Sequence, residues 1–293
     1  MASFLVTPDR IKCKMNTAAA DSKCCHLEYF GVNTYSFTLK YTALKTLEVL
    51  AAKGFRHFEL MMFPGHLWPI GIDGGEIKSL IEYIKANGLK IGTLNMPNVD
   101  MNIASAMPEV RATTLKMLRS IIELAGELQV DGVVLGPGKP NPLMPMPKSQ
   151  MMAYFYSALS ELVPLAADCG TSIFVENMPF AFLPRIAELV KSVEQFGDDR
   201  VGIVYDVANG YFVGEDPEEA LRVCAPRLRV VHLSDTTRTV YTHSSVGLGS
   251  VDFEGVSRGL SRIGYSGPLV LEIISDAGVG AIIDSARSLH GLK

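Results

Sequence analysis

Four short stretches share one ending. In "IFVEN", "GIVYD", "RVVHL" and "LVLEI" an apolar, β-branched run meets a residue that can ionise or ligate: Glu176, Asp206, His232 and Glu272. Runs without polar alternation read as strands buried on both faces, and a carboxylate there must be solvated, paired or bound to a cation. Taken singly, each of the four is more simply an ion-paired or backbone-capping group. Together, three carboxylates and one imidazole repel and desolvate one another unless a cation neutralises them. A divalent metal is the economical cation. An oxygen-rich set with one nitrogen suits Mn²⁺, Mg²⁺ or Co²⁺, with Zn²⁺ as the alternative that the general order of affinities favours.

Such a set works only if the fold brings the four tips together. From residue 29 an apolar run, a loop and an amphipathic helical pattern repeat eight times. The expected strands are Tyr29–Asn33, His57–Met61, Lys90–Asn95, Gly132–Leu135, Ser172–Glu176, Val201–Asp206, Arg229–Leu233 and Leu269–Ile273. The expected helices are Thr42–Lys53, Glu76–Asn87, Pro108–Leu128, Lys148–Asp168, Leu183–Phe196, Pro217–Cys224, Phe253–Ile263 and Ala277–His290. Several end at glycine, as in "AAKGF", "KANGLK" and "ADCGTS", the usual signal before a helix-to-strand turn. Regular alternation implies parallel strands and right-handed crossovers, and eight units over residues 29–293 match a single-domain α/β (β/α)8 barrel. An open doubly wound sheet would carry a glycine-rich fingerprint after its first strand, and "GVNTYSF" has none. "GIDGG" and "VGLGS" lack the strand-to-helix setting and read as turns.

In a parallel barrel all strand tips open on one face, where such barrels hold their chemistry. Glu59, Asn95 and Asp235 then join the four at that face.

Composition narrows the partners. The chain has 293 residues, 48% of them hydrophobic, and a net charge of −4 with Lys and Arg dispersed, so no nucleic-acid footprint is present and a small polar substrate is expected. The five cysteines show no Cys-x-x-Cys spacing and read as reduced thiols. The opening "MASFLVTPDRIKCK" is too short in apolar residues for a signal peptide, and no membrane-spanning run follows, so a cytoplasmic protein is expected. Residues 1–28 carry no periodicity and read as an extension, disordered or laid against a barrel face.

The order "VEN", "YDVAN", "VVHLSDTTR", "LVLEI", with "GLGSVDF" after the seventh strand, resembles the xylose isomerase-like TIM barrels, and among them the sugar and sugar-phosphate isomerases and epimerases. The resemblance spans nearly all of the chain after residue 28 and is nearest the ketose 3-epimerases and hydroxypyruvate isomerase. It implies that Glu176, Asp206, His232 and Glu272 hold the metal, that Glu176 and Glu272 double as an acid/base pair, and that Arg238 binds substrate. It also implies a homo-oligomer. Two positions depart from it: Asn209 and Gly136 stand where many members carry histidine. An amide can still hydrogen-bond a hydroxyl but carries no proton.

The chemistry expected is proton removal next to a carbonyl through a cis-enediolate, giving epimerisation or aldose–ketose isomerisation of a sugar, sugar phosphate or keto-acid. A keto-sugar dehydratase or lyase on the same site is the alternative. A metal-free sugar-binding or inactive relative is the alternative outside catalysis, and a three-zinc hydrolase of the endonuclease IV type is disfavoured by only six histidines. Further substrate contacts are read at Glu59, Asn95 and Asn209, and at His66 and Trp68 in "MMFPGHLWP", each against a purely structural role. The stretch "GPGKPNPLMPMPKS" is a long loop suited to a lid or subunit contact, and His243 reads as solvated.

Overall fold

Each strand pairs in parallel with the next in sequence, and the last pairs with the first, so the sheet closes into a barrel. The computed structural model describes residues 27–98 and 100–291. The strands are β1 (Gly31–Asn33), β2 (His57–Met61), β3 (Lys90–Asn95), β4 (Gly132–Leu135), β5 (Ser172–Glu176), β6 (Val201–Asp206), β7 (Leu228–Leu233) and β8 (Leu269–Leu271). The helices are α1 (Ala43–Ala51), α2 (Gly74–Ala86), α3 (Pro108–Leu128), α4 (Lys148–Asp168), α5 (Ile186–Phe196), α6 (Val207–Phe212), α7 (Pro217–Cys224), α8 (Phe253–Arg262) and α9 (Val279–Ser288). The expected (β/α)8 architecture is the one observed.

Side chains alternate along a strand, so residues two apart share a face. Val134, Phe174, Val204, Val230 and Val270 form a buried cluster separate from the main core, one residue from each of β4 to β8. Two positions further along lie Glu176, Asp206, His232 and Glu272. The polar layer therefore stands on an apolar one. Phe174 fills the space that Gly132 and Gly202 leave, since a Cβ on either would run into its ring or, at Gly202, also into Arg229. The outward residues of the same strands, such as Ile173, Val175, Ile203 and Val231, belong to the larger core shared with the helices.

Local sequence sets the helix ends. Thr42 caps α1 by accepting from Lys45 N–H, and Asp216 caps α7 by accepting from Glu219 N–H ahead of Pro217, the arrangements those residue types favour. Gly197 ends α5 with φ of 83°. Differences from expectation lie at element ends and in one addition. Leu27–Tyr29 forms a one-turn 3-10 helix, so β1 begins at Gly31 rather than Tyr29. Strand β8 stops at Leu271, placing Glu272 one residue past the ladder. Helix α5 begins at Ile186 rather than Leu183. The short helix α6 was not expected; Asp206 caps it from the strand tip by accepting from Asn209 N–H. Of the extension expected over residues 1–28, only Leu27 and Glu28 fall within the described residues.

Candidate metal centre

The four strand-tip side chains converge. Glu176, Asp206, His232 and Glu272 each offer a donor atom within 4.8 Å of the others, and all four are buried. His232 Nδ1 lies 3.4 Å from Glu176 Oε1, 3.2 Å from Glu272 Oε2 and 3.9 Å from Asp206 Oδ2. Asp206 Oδ2, His232 Nδ1 and Glu272 Oε2 are buried and have no hydrogen-bond partner. A buried polar atom without a partner is costly, and three aimed at one point fit a divalent cation. These donors are of the kind that Mn²⁺, Mg²⁺, Co²⁺ or Zn²⁺ accepts.

The surrounding groups orient them. His232 Nε2 donates to Glu59 Oε2 at 3.2 Å, which turns Nδ1 toward the carboxylates. Carboxylate support behind a ligating imidazole is a common device of metal sites. Glu59 also accepts from Asn33 Nδ2 at 2.5 Å, Thr93 Oγ1 at 2.6 Å and Asn95 Nδ2 at 3.0 Å. Asn33 reaches on to Glu272 Oε1 at 3.3 Å. Asn177 locks the tips of β5 and β6 together, accepting from Asp206 N–H at 2.7 Å and donating to the Asp206 carbonyl at 3.0 Å. Asp206 Oδ1 is held by Asn209 N–H at 2.6 Å, so only Oδ2 faces the centre.

Electrostatics separate Glu59 from the rest. Burial pushes its carboxyl up, but the His232 charge and hydrogen bonds from His232, Asn95 and Thr93 outweigh that and bring it down to about 2. Burial pushes Glu176 and Asp206 up to about 7, and Glu272 up as well. Burial alone lowers His232, yet Glu59 and Glu272 hold it well above its ordinary value. Without a cation, then, all four groups that would ligate one hold protons more tightly than they ordinarily do.

Residues 47–291 match the family described as xylose isomerase-like TIM barrel. The chain belongs to that family. An uncharacterised protein of Methanocaldococcus jannaschii, MJ1311, is 29% identical over 251 residues, covering 83% of each chain. L-ribulose-5-phosphate 3-epimerase UlaE of Escherichia coli is 22% identical over 184 residues, covering 63% of this chain and 64% of its own. A crystal structure of a D-tagatose 3-epimerase-like protein superposes with a TM-score of 0.79 at 26% identity, covering 90% of this chain and 96% of that one. Relatives of this xylose isomerase-like barrel thus include sugar epimerases.

The other residues singled out in the sequence are divided by the structure. Glu59 and Asn95 lie in the polar layer, but Glu59 is wholly buried and engaged by four side chains. Asn209 touches the centre, its Nδ2 donating to Glu176 Oε1 at 3.3 Å. Arg238 is exposed and turned onto α6: its guanidinium stacks 3.8 Å from the Tyr211 ring centroid and donates to the carbonyls of Tyr211 and Glu215. His66 is buried between the Tyr41 carbonyl at 2.7 Å and Thr34 Oγ1 at 2.9 Å, joining the loops after β1 and β2. With Trp68 it lines a groove of about 760 Å³ beside α1 and α2, which none of the four donors lines.

Two features were missed. His243, expected in solvent, is buried, with Nδ1 3.7 Å from Asp206 Oδ2 and 3.5 Å from Glu272 Oε2. The bridge between Asp235 and Ser244 folds its loop back over β7. Asp235 itself anchors that loop, its carboxylate accepting from the backbone N–H of Thr236, Gly247, Gly249 and Val251. "VGLGS" is therefore a turn, as expected, wrapped around a carboxylate of its own chain. Asn33 was visible only as the polar end of "GVN".

Among the described residues no helix is long and apolar enough to cross a membrane.

Proposed function

We propose that this protein is a divalent-metal-dependent sugar or sugar-phosphate isomerase or epimerase that removes a proton next to a carbonyl through a cis-enediolate. The observation that carries the reading is the convergence of Glu176, Asp206, His232 and Glu272 within 4.8 Å of one another, with three donor atoms buried and unpartnered. The kinship with sugar 3-epimerases supports the choice of substrate class.

A divalent ion held by these four residues would supply the positive charge that acidifies a C–H bond beside a carbonyl. The chain's own part is to hold and move the proton. Glu176 and Glu272 are the carboxyls least constrained: Glu59 is engaged by four side chains and held ionised, Asp206 is pinned at 2.6 Å by the backbone N–H of its helix cap, and Glu176 and Glu272 each accept a longer 3.3 Å bond from a side-chain amide. One glutamate in its ionised form takes the proton and the other, protonated, returns it. Return to the same carbon gives an epimer; return to the neighbouring carbon gives an isomer. The polar layer rests on the Phe174 cluster, so the reacting end of the substrate meets a floor closed to water.

Solvent-deuterium incorporation tests this. Metal-loaded protein in D₂O is incubated with ketoses, keto-acids and their phosphates beside a Glu272→Gln control and followed by NMR. Exchange next to the carbonyl, lost in the control, is expected. Net loss of substrate to an unsaturated product would instead indicate a lyase, and protein that takes up no divalent ion would refute the metal reading.

A further inference from the structure

The loop after β7 does more than cover the site. It carries an aromatic and an imidazole side chain into the polar layer, where they join a hydrogen-bond chain that begins at Glu176. Asn209 Nδ2 donates to Glu176 Oε1 at 3.3 Å, and Asn209 Oδ1 accepts from Tyr241 Oη–H at 2.8 Å. Tyr241 Oη lies 2.9 Å from His243 Nε2, and His243 Nδ1 lies 3.0 Å from Ser234 Oγ.

The direction of each bond follows from its neighbour. Ionised, as it must be to ligate a cation, the Glu176 carboxylate accepts only, so the Asn209 amide faces it with its NH₂ group, which leaves its oxygen for Tyr241. The Tyr241 proton is thereby committed to Asn209, and His243 Nε2–H must donate to the phenol oxygen. In the neutral ring Nδ1 is then an acceptor, filled by Ser234 Oγ–H, and that edge of the ring packs against Glu272 Oε2 at 3.5 Å and Asp206 Oδ2 at 3.7 Å. The chain starts on one of the paired glutamates and ends against the other.

We infer that Tyr241 and His243 are positioning residues: they act as one unit that sets Glu176 through Asn209 and seats a ring edge against Glu272 and Asp206. The loop is built to hold them there. Its backbone pairs Asp235 with Ser244 in both directions at 2.9 Å, and Tyr241 is packed against Phe180 and Phe212, with ring centroids 5.4 and 5.2 Å away. Fixing a side chain through supports whose own rotamers are locked is what a metal site needs from the residues behind its ligands. Neither residue falls at a strand tip or offers a donor to the four-residue centre, so each acts through others.

This inference rests on the metal reading proposed above, and the test separates the two. Co²⁺ is titrated into metal-free wild type, Tyr241→Phe, His243→Gln and the double variant, and binding is read from the visible spectrum. Each single variant is expected to weaken Co²⁺ binding about 10- to 100-fold, the usual range for lost support behind ligands, and to change the Co²⁺ bands as Glu176 reorients. Because the two act as one unit, the double variant is expected within about threefold of the weaker single one rather than at the product of the two losses. Singles that bind as wild type does, or a double variant whose loss is the product, would overturn the inference and leave the metal centre standing. Wild type that binds no Co²⁺ would overturn both. Thermal unfolding checks that the variants fold; should His243→Gln fail, Tyr241→Phe decides alone, since it removes one oxygen and keeps the aromatic contacts.

Discussion

Metal binding should expel protons, and the structure sets how many. At neutral pH Glu176 and Asp206, both pushed up to about 7 by burial, each hold about half a proton, and His232, held well above its ordinary value, holds a whole one. All must leave before the atoms ligate, and Glu272, also pushed up by burial, can only add to them, so about two protons or more should be released per ion at pH 7, and fewer as pH rises. Affinity should then fall as pH drops from 8 to 6, more steeply than the tenfold per pH unit that a single released proton gives. Calorimetry in two buffers of different ionisation enthalpy counts the protons directly. Release near zero at pH 7 would refute the proton inventory of the centre. The same shifts govern the metal-free fold. Glu176 and Asp206 lie above their ordinary values of 4.5 and 3.8, so the folded state holds those protons more tightly, and the stability they contribute is lost as pH rises toward about 7. His232 acts in the same direction at higher pH. Glu59 acts oppositely, its contribution being present above 4.5 and lost only as pH falls toward about 2. The melting temperature of metal-free protein should therefore decline from pH 5 to pH 8, and saturating divalent ion should remove the decline.

Other perturbations read other parts of the molecule. Glu59→Gln leaves His232 without its ionised partner and should cost about 3 kcal/mol of stability, with metal affinity reduced about 10- to 100-fold; denaturant unfolding and metal titration measure both. Phe174→Ala should cost about 3–5 kcal/mol through the cavity it leaves above Gly132 and Gly202, whereas a conservative change at exposed Leu143 should leave unfolding within about 0.5 kcal/mol. Asp235→Ala removes the acceptor of four backbone N–H groups, so hydrogen exchange at Gly247, Gly249 and Val251 should accelerate and Tyr241 and His243 should lose their placement.

The barrel was legible because its strands are apolar on both faces and its helices carry caps and terminal glycines, all of which act within a few residues. The tips of β5 to β8 were legible for the same reason: an ionisable side chain in an apolar run is a local anomaly. What escaped was decided at long range. Whether Glu59 meets a substrate or His232 depends on a partner 173 positions away. His243 looks like any loop histidine until Asp235 pairs with Ser244, and Arg238 points elsewhere because α6, an element hidden in an Asn-Gly sequence, offers it carbonyls and a ring.

The contact between Glu59 and His232 crosses the lumen from β2 to β7. All four donors come from the second half of the chain, yet the carboxylate that aims the imidazole comes from the first, together with Asn33, Thr93 and Asn95, which hold it. A half-barrel of β5 to β8 would own every ligand and lack the means to point one of them. Closure of the ring and assembly of the binding centre are thus a single event, and tight metal uptake during refolding reports the moment at which the two halves meet.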